Sequence, residues 1–224
     1  MLNTKEDKTY ASILSDGKIH ITCPEGTEGG VWRTYKTSDG TEGKKFELQY
    51  NDIIGKITSL NFRDGEYGSQ LQVTISDGKG KPVVLSLGTS SNYAEDCLKK
   101  LPNVDMSRAV KIVPFNFKDD KGKSKRGVTI WQHNPKTKKN EKIQNYFYDA
   151  EKKKNINGFP EPVPKKGKTT KDFTKDQWKS YFSTVREFLV DFNTEHFKIE
   201  APAASATDED FDAMVAEVSA AMDQ

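Results

Sequence analysis

Gly55-Lys-Ile-Thr-Ser-Leu-Asn-Phe-Arg-Asp64, Gly68-Ser-Gln-Leu-Gln-Val-Thr-Ile-Ser-Asp-Gly78 and Pro82-Val-Val-Leu-Ser-Leu87 are three consecutive runs with the period of β-strands. In the second run Leu71, Val73 and Ile75 alternate with Gln70, Gln72, Thr74 and Ser76. In the third, Val83, Leu85 and Leu87 repeat the period of two. Successive side chains of a strand point to opposite faces, so this alternation predicts strands with one buried face. Asp64-Gly65, Tyr67-Gly68 and Asp77-Gly78-Lys79-Gly80 supply the turns. Ile53 to Asp64 is therefore expected as a long strand, Gln70 to Ser76 as its neighbour and Pro82 to Leu87 as a third. A short helix follows from Tyr93 to Leu101, with Ser91 or Asn92 as its N-cap and Pro102 past its end.

Toward the N-terminus, Tyr10 to Leu14 and Lys18 to Thr22 flank Asp16-Gly17 as a hairpin. Val31 to Lys36 and Lys45 to Tyr50 read as strands, and strands resume at Ala109 to Phe117, Gly127 to Gln132 and Lys142 to Tyr148. Glu151 to Lys168 is rich in Lys, Pro and Gly and reads as an extended, solvated arm. A second helix starts at Thr174, which forms a capping box with Gln177. Trp178, Tyr181, Phe182, Val185, Phe188, Leu189 and Phe192 recur along it at three- and four-residue spacing, a face too apolar for water.

Three tightly connected strands, a short helix and further strands is the order of an OB-fold barrel. The quoted stretch resembles the opening of many OB-fold nucleic-acid binders, and the resemblance extends over about Tyr50 to Tyr148. It implies a mainly β chain: a five-stranded OB barrel with extra N-terminal strands, one short helix and a packed C-terminal helix. The expected division is residues 1–198 as the OB domain and 199–224 as a flexible acidic tail.

The formal net charge of +2 hides a segregation. Ile199 to Gln224 holds seven acids and no Lys or Arg, so the rest of the chain carries +9. A basic body attracts polyanions at long range. Lys118 to Lys175 concentrates this charge, with 17 basic residues against seven acids. Aromatics interleave with it: Trp131 follows Arg126, and Tyr146, Phe147 and Tyr148 follow Lys142. Cations for phosphates and ring faces for bases are what single-strand binding requires, at roughly 1–3 kcal/mol per stacked base.

Parity selects among the rings. If Val128 and Ile130 face a core, Trp131 faces outward, either toward a ligand or beneath the Trp178 helix; both readings stay open. Ile143 and Phe147 share one face, leaving Tyr146 and Tyr148 on the other. Trp32 and Tyr35 flank Arg33 and cannot share a face of a regular strand, so one is expected in the core and the other as a stacking ring. Arg63 and Tyr67 fall where the resemblance places a ligand-facing hairpin. Lys56, Lys111, Lys125, Arg126 and Lys136 complete the candidate contacts.

Catalytic signatures are missing. There is no phosphate-loop Lys-Ser/Thr, no Gly-x-Ser-x-Gly elbow and no His-Glu-x-x-His, and the three histidines are scattered. Cys23 and Cys97 lack the closely spaced partners of a zinc site and read as free thiols. The chain is therefore expected to be no enzyme and to use no cofactor or metal. No apolar run approaches the roughly 20 residues of a membrane helix, and a charged N-terminus lacks a leader pattern, so a cytoplasmic location is expected.

After the Ala/Pro/Ser run Ala201 to Thr207 comes Asp208-Glu-Asp-Phe-Asp212, with Phe211, Met214, Val215, Val218 and Met222 in one stripe. A flexible tether ending in an acidic, apolar segment resembles the C-terminal arms of single-stranded DNA-binding proteins from bacteria and phages. Phe211 is internal, unlike the terminal Phe of the bacterial pattern, which points to the phage type and, for a phage-encoded chain, to the host cytoplasm. The resemblance implies single-stranded DNA as ligand in replication, recombination and repair. It also implies that replication and recombination proteins are recruited through Asp208, Glu209, Asp210, Phe211 and Asp212. An RNA-binding or protein-interaction accessory module on the same fold is the alternative, and homo-oligomerisation stays open.

Overall fold

The computed structural model describes residues 8–37, 40–65 and 68–199. Its strands are β1 (Thr9–Ile13), β2 (Ile19–Thr22), β3 (Val31–Lys36), β4 (Glu42–Tyr50), β5 (Ile53–Gly65), β6 (Gly68–Ser76) and β7 (Val83–Gly88). Helix α1 (Asn92–Leu98) separates these from β8 (Ala109–Lys118), β9 (Ser124–Asn134), β10 (Lys139–Lys142), β11 (Tyr148–Asp149) and β12 (Lys154–Asn155), and α2 (Lys175–Phe197) closes the described chain. Ten strands form one sheet in the order β10-β9-β8-β5-β6-β7-β1-β2-β4-β3; β11 and β12 pair separately. Among the described residues every pairing is antiparallel except β1 with β7.

The protein is mainly β, as expected, but among the described residues no ring of pairings closes the expected five-stranded barrel. The sheet curls without closing. The β1–β2 turn comes against the far end of β8: Asn116 Nδ2 donates to the Ser15 carbonyl, and a Cβ at Gly17 would lie 2.8 Å from Asn116 N. Gly17 also has φ +78°, which favours glycine on two counts. Where β9 is left without a neighbour on one side, α1 occupies its edge. Val128 N–H donates to Asp96 Oδ2 at 2.8 Å, and Lys100 Nζ donates to the Val128 carbonyl while sitting 2.7 Å from the same carboxylate. A strand edge satisfied by side chains has no need of a further strand.

Leu71, Val73, Ile75, Leu85, Leu87, Val110, Ile112, Val128 and Ile130 fill the concave face with Ile57, Leu60 and Phe62. A register shift between Ile57 and Ser59 bends β5, and Ser59 Oγ donates to Thr74 Oγ1 at 2.8 Å across it. Ser91 caps α1, its hydroxyl accepting from Ala94 N, and Pro102 enters a 3-10 turn at Leu101–Asn103.

Two elements differ from expectation. Only Lys142 of the Lys142-to-Tyr148 segment is in a strand of the large sheet. Past it Ile143 N still bonds to Ile130 O, but Tyr146 N bonds to Lys99 O at the end of α1. The chain leaves the sheet there to bury Phe147, whose ring lies 4.9–5.6 Å from those of Tyr146, Phe159, Phe188 and Phe192. The Lys/Pro/Gly arm is likewise pinned: Ile156 N bonds to Phe147 O and Phe159 packs on Phe188. Helix α2 begins with the expected Thr174–Gln177 capping box and buries Val185, Leu189 and Asn193, with Asn193 Nδ2 donating to Leu98 O. Lys198 ends it in the left-handed conformation.

Candidate nucleic-acid interface

The outward face of β5, β8, β9 and β10 brings the sequence candidates together most closely. Register pairs Ile54 with Lys111, Lys111 with Trp131 and Trp131 with Lys142, so one row of four side chains crosses four strands. Directly opposed residues share a face, with neighbouring strands about 4.8 Å apart, so the row spans about 14 Å. Its parity is fixed from below, because Ile53, Ile112 and Ile130 form the inward row beside it and the last two are fully buried. Trp131 is 37% exposed and Ile54 58%.

Along β8 the same face continues through Val113, Phe115 and Phe117, paired with Thr129, Gly127 and Lys125. Phe117 is 56% exposed and its ring centroid lies 5.7 Å from that of Phe115. From Lys111 to Phe117 is about 20 Å at the rise of a strand. At the other end a depression of about 440 Å³ is lined by Ile54, Ala109, Lys111, Trp131, His133 and Asn140. Exposed Lys56 extends the face one register step along β5, opposite Ala109. Lys111 Nζ lies 2.9 Å from Asp52 Oδ2, with both side chains partly exposed. Such a pair contributes about 0–1 kcal/mol and exchanges readily for another anion.

The other candidates are divided. Lys125 is on the outward face, 3.8 Å from Asp119, whereas Arg126 alternates to the opposite one. Lys136 sits exposed in the β9–β10 turn, and Tyr148 is exposed in the small β11–β12 hairpin. Tyr146 packs against Phe147, Phe192 and His196 beneath α2 and takes no part in the row. Arg63 is half-buried near the far end of β5, past the bend. Trp178 lies among Phe173, Tyr181 and Phe182, not over Trp131. Tyr67 and Asp208, Glu209, Asp210, Phe211 and Asp212 lie outside the described residues.

Trp32, Arg33 and Tyr35 stand on the β3–β4 hairpin at the opposite edge of the sheet. Neither ring enters the core. Trp32 is 54% exposed and meets Phe46 edge-on at 5.3 Å, while Tyr35 lies between Arg33 and Lys45 at 5.6 and 5.5 Å on the other face. The reason is that β3 is an edge strand, and among the described residues none of its side chains is buried. Arg33 is a structural cation, gripping Glu47 through two bonds of 2.8 and 2.9 Å. Glu47 also accepts from His20 Nδ1 at 2.9 Å, and His20 Nε2 faces Asp16 at 3.0 Å. Burial acts to raise the Glu47 pKa, but the bonds and charges of His20 and Arg33 overcome it and hold it at about 2. Burial acts to lower that of His20, yet its two carboxylate partners raise it above 6.5.

Sequence reasoning missed Ile54, Phe117, His133 and Lys142 as members of this face. Parity in β8 and β9 could have indicated Phe117 and His133, but Ile54 and Lys142 depend on a register between strands that no local pattern specifies. Among the described residues no group of three or more His, Cys, Asp or Glu side chains is placed to hold a metal ion, and no helix is long and apolar enough to cross a membrane. Comparison with known protein families, curated sequences and solved structures gives no match.

Proposed function

We propose that the chain binds single-stranded DNA with little sequence preference, acting in replication or recombination by coating the strand rather than by catalysis. The observation that carries this reading is the row Ile54–Lys111–Trp131–Lys142, an exposed indole between two lysines on a ridged β surface. Phosphates would lie against Lys111, Lys142 and Lys56 while a base stacks on Trp131 and a second meets Phe117. The fold reading that accompanies it is an OB-fold unit of β5, β6, β7, α1, β8 and β9. It is supported by the three-strand meander, the helix before the last hairpin, and the pairing of β8 with β5. On this reading β1 stands parallel to β7 where a closing strand would lie. The acidic tail is then the segment that recruits replication and recombination proteins.

Titration of intrinsic fluorescence with oligo-dT tests it. Stacking quenches Trp131, and Trp131→Ala weakens binding roughly 5- to 150-fold, the equivalent of 1–3 kcal/mol. Competition with RNA and duplex DNA of equal length separates this reading from an RNA-binding one on the same face. A Trp131→Ala chain that bound oligo-dT as tightly as the parent would remove the basis of the proposal.

A further inference from the structure

The first half of α2 carries an aromatic cluster that packs against the core only through Tyr181. Burial along the helix is complete only from Val185 onward, at Val185, Leu189 and Asn193. Before it, Trp178 stacks on Phe182 at 5.7 Å and 25° and meets Phe173 at 5.0 Å and Tyr181 at 5.8 Å. Phe182 is 45% exposed, and Phe173, Trp178 and Tyr181 are only half-buried. Exposed Lys165, Lys166, Lys168, Lys171, Lys175 and Lys179 surround the cluster in sequence, against three acids, Glu161, Asp172 and Asp176. A clustered aromatic surface with a basic border marks an interaction site.

We infer that this surface is the docking site of the chain's own acidic C-terminal segment, which folds back along α2. Complementarity is the first argument. Residues 208–223 place Phe211, Met214, Val215, Val218 and Met222 at helical spacing, one apolar stripe beside Asp208, Glu209, Asp210, Asp212, Glu217 and Asp223. Apolar stripe meets aromatic cluster, and acids meet lysines. The second argument is reach. Trp178 precedes the end of α2 at Phe197 by 19 residues, about 29 Å at the helical rise. Residues 200–210 form a tether of 11 residues, spanning up to about 37 Å when extended. The tether is long enough to bring Phe211 to Trp178 and short enough to keep the local concentration of the segment high. The rings are already in mutual contact and offer an apolar surface rather than a free stacking face, which favours a side-chain stripe over a nucleobase as occupant. This inference does not depend on the nucleic-acid reading, since the cluster lies on α2 and the Trp131 row on the sheet.

Trp32→Phe and Trp131→Phe together leave Trp178 as the sole indole of the full chain. In that background the intact protein should emit at shorter wavelength, with acrylamide quenching at least about twofold weaker, than a chain ending at Thr207. Phe211→Ala with Met214→Ala should reproduce the truncated spectrum in a chain of full length. The difference should shrink in 0.5 M salt and be the same at 1 and 50 μM protein. Identical quenching of intact and truncated chains overturns the inference. So does protection that grows with protein concentration, which would assign the site to a second copy. Quenching of Trp178 by oligo-dT, with no effect of truncation, would overturn it in favour of nucleic acid.

Discussion

Replacing both lysines that flank Trp131, Lys111→Gln with Lys142→Gln, should change the salt dependence of DNA binding by a calculable amount. Each phosphate contact on a single strand contributes about 0.7 to the slope of log K against log salt concentration. The register places both lysines on the row of Trp131, one on either side, so two contacts are at stake. The slope should become shallower by about 1.4. At 0.1 M salt one contact of this kind is worth about fivefold in affinity, so the double variant should bind about 25-fold more weakly. Near 1 M salt the two proteins should converge. Asp52 supplies an internal check: it sits 2.9 Å from Lys111, so Asp52→Asn should tighten binding at low salt and lose its effect in the Lys111→Gln background. Fluorescence anisotropy of labelled dT oligomers at four salt concentrations gives both slopes, and Lys79→Gln in the exposed β6–β7 turn is the control. An unchanged slope in the double variant, or an equal change in the control, would refute the placement of the strand along this row.

Three further outcomes follow from the fold. Gly127→Ala puts a Cβ 2.3 Å from Asp96 Oδ2 and 2.8 Å from Phe115 Cζ, displacing the carboxylate that holds Val128 N and Lys100. Urea denaturation should show a loss of about 2–4 kcal/mol, non-additive with Asp96→Ala, and additive losses would mean that the two positions act separately. The His20–Glu47–Arg33 network should be most stabilising between about pH 4.5 and 6.5. Glu47 has a lowered pKa, so its contribution is present above 4.5 and fades as pH falls toward about 2; that of His20 is raised, so its contribution is present below 6.5 and fades as pH rises beyond it. Thermal unfolding across this range should lose its alkaline limb in His20→Gln, and an unaltered limb would sink the assignment. Phe147→Ala removes a fully buried ring at the centre of four others and should cost about 3–5 kcal/mol. Amide exchange should accelerate in α2 more than in β6; uniform acceleration would show that the ring does not hold the helix.

Much of the fold was legible because local patterns there coincide with the final burial. Leu71, Val73 and Ile75 alternate in sequence and are all buried in β6, and the Thr174–Gln177 box starts α2 where spacing placed it. Closure of the sheet was not legible. Whether the edge of β9 finds a strand or a helix depends on Asp96 and Lys100, residues that in sequence are unremarkable charges on a short helix. The end of the Ile143–Tyr148 run failed for a related reason: alternation there is genuine, but Phe147 gains more from four rings than a further strand residue would from one sheet face.

The site divides along the same line. Parity alone turned Trp131 outward, and no aromatic of α2 covers it among the described ring contacts. Parity could not rank the lysines. Seventeen basic residues between Lys118 and Lys175 form one block in sequence, yet only Lys142 of them opposes Trp131. Its counterpart Lys111 lies outside the block altogether. A charge count therefore measures how strongly a polyanion is drawn to the body, which depends on the summed field. Where a strand would lie is decided by cross-strand register, a property of pairs of residues far apart in the chain. An indole left partly in water, between two cations that the pairing of β8, β9 and β10 brings onto one row, is a narrower observation than a basic segment. It is also the one that a double substitution can test against its own control.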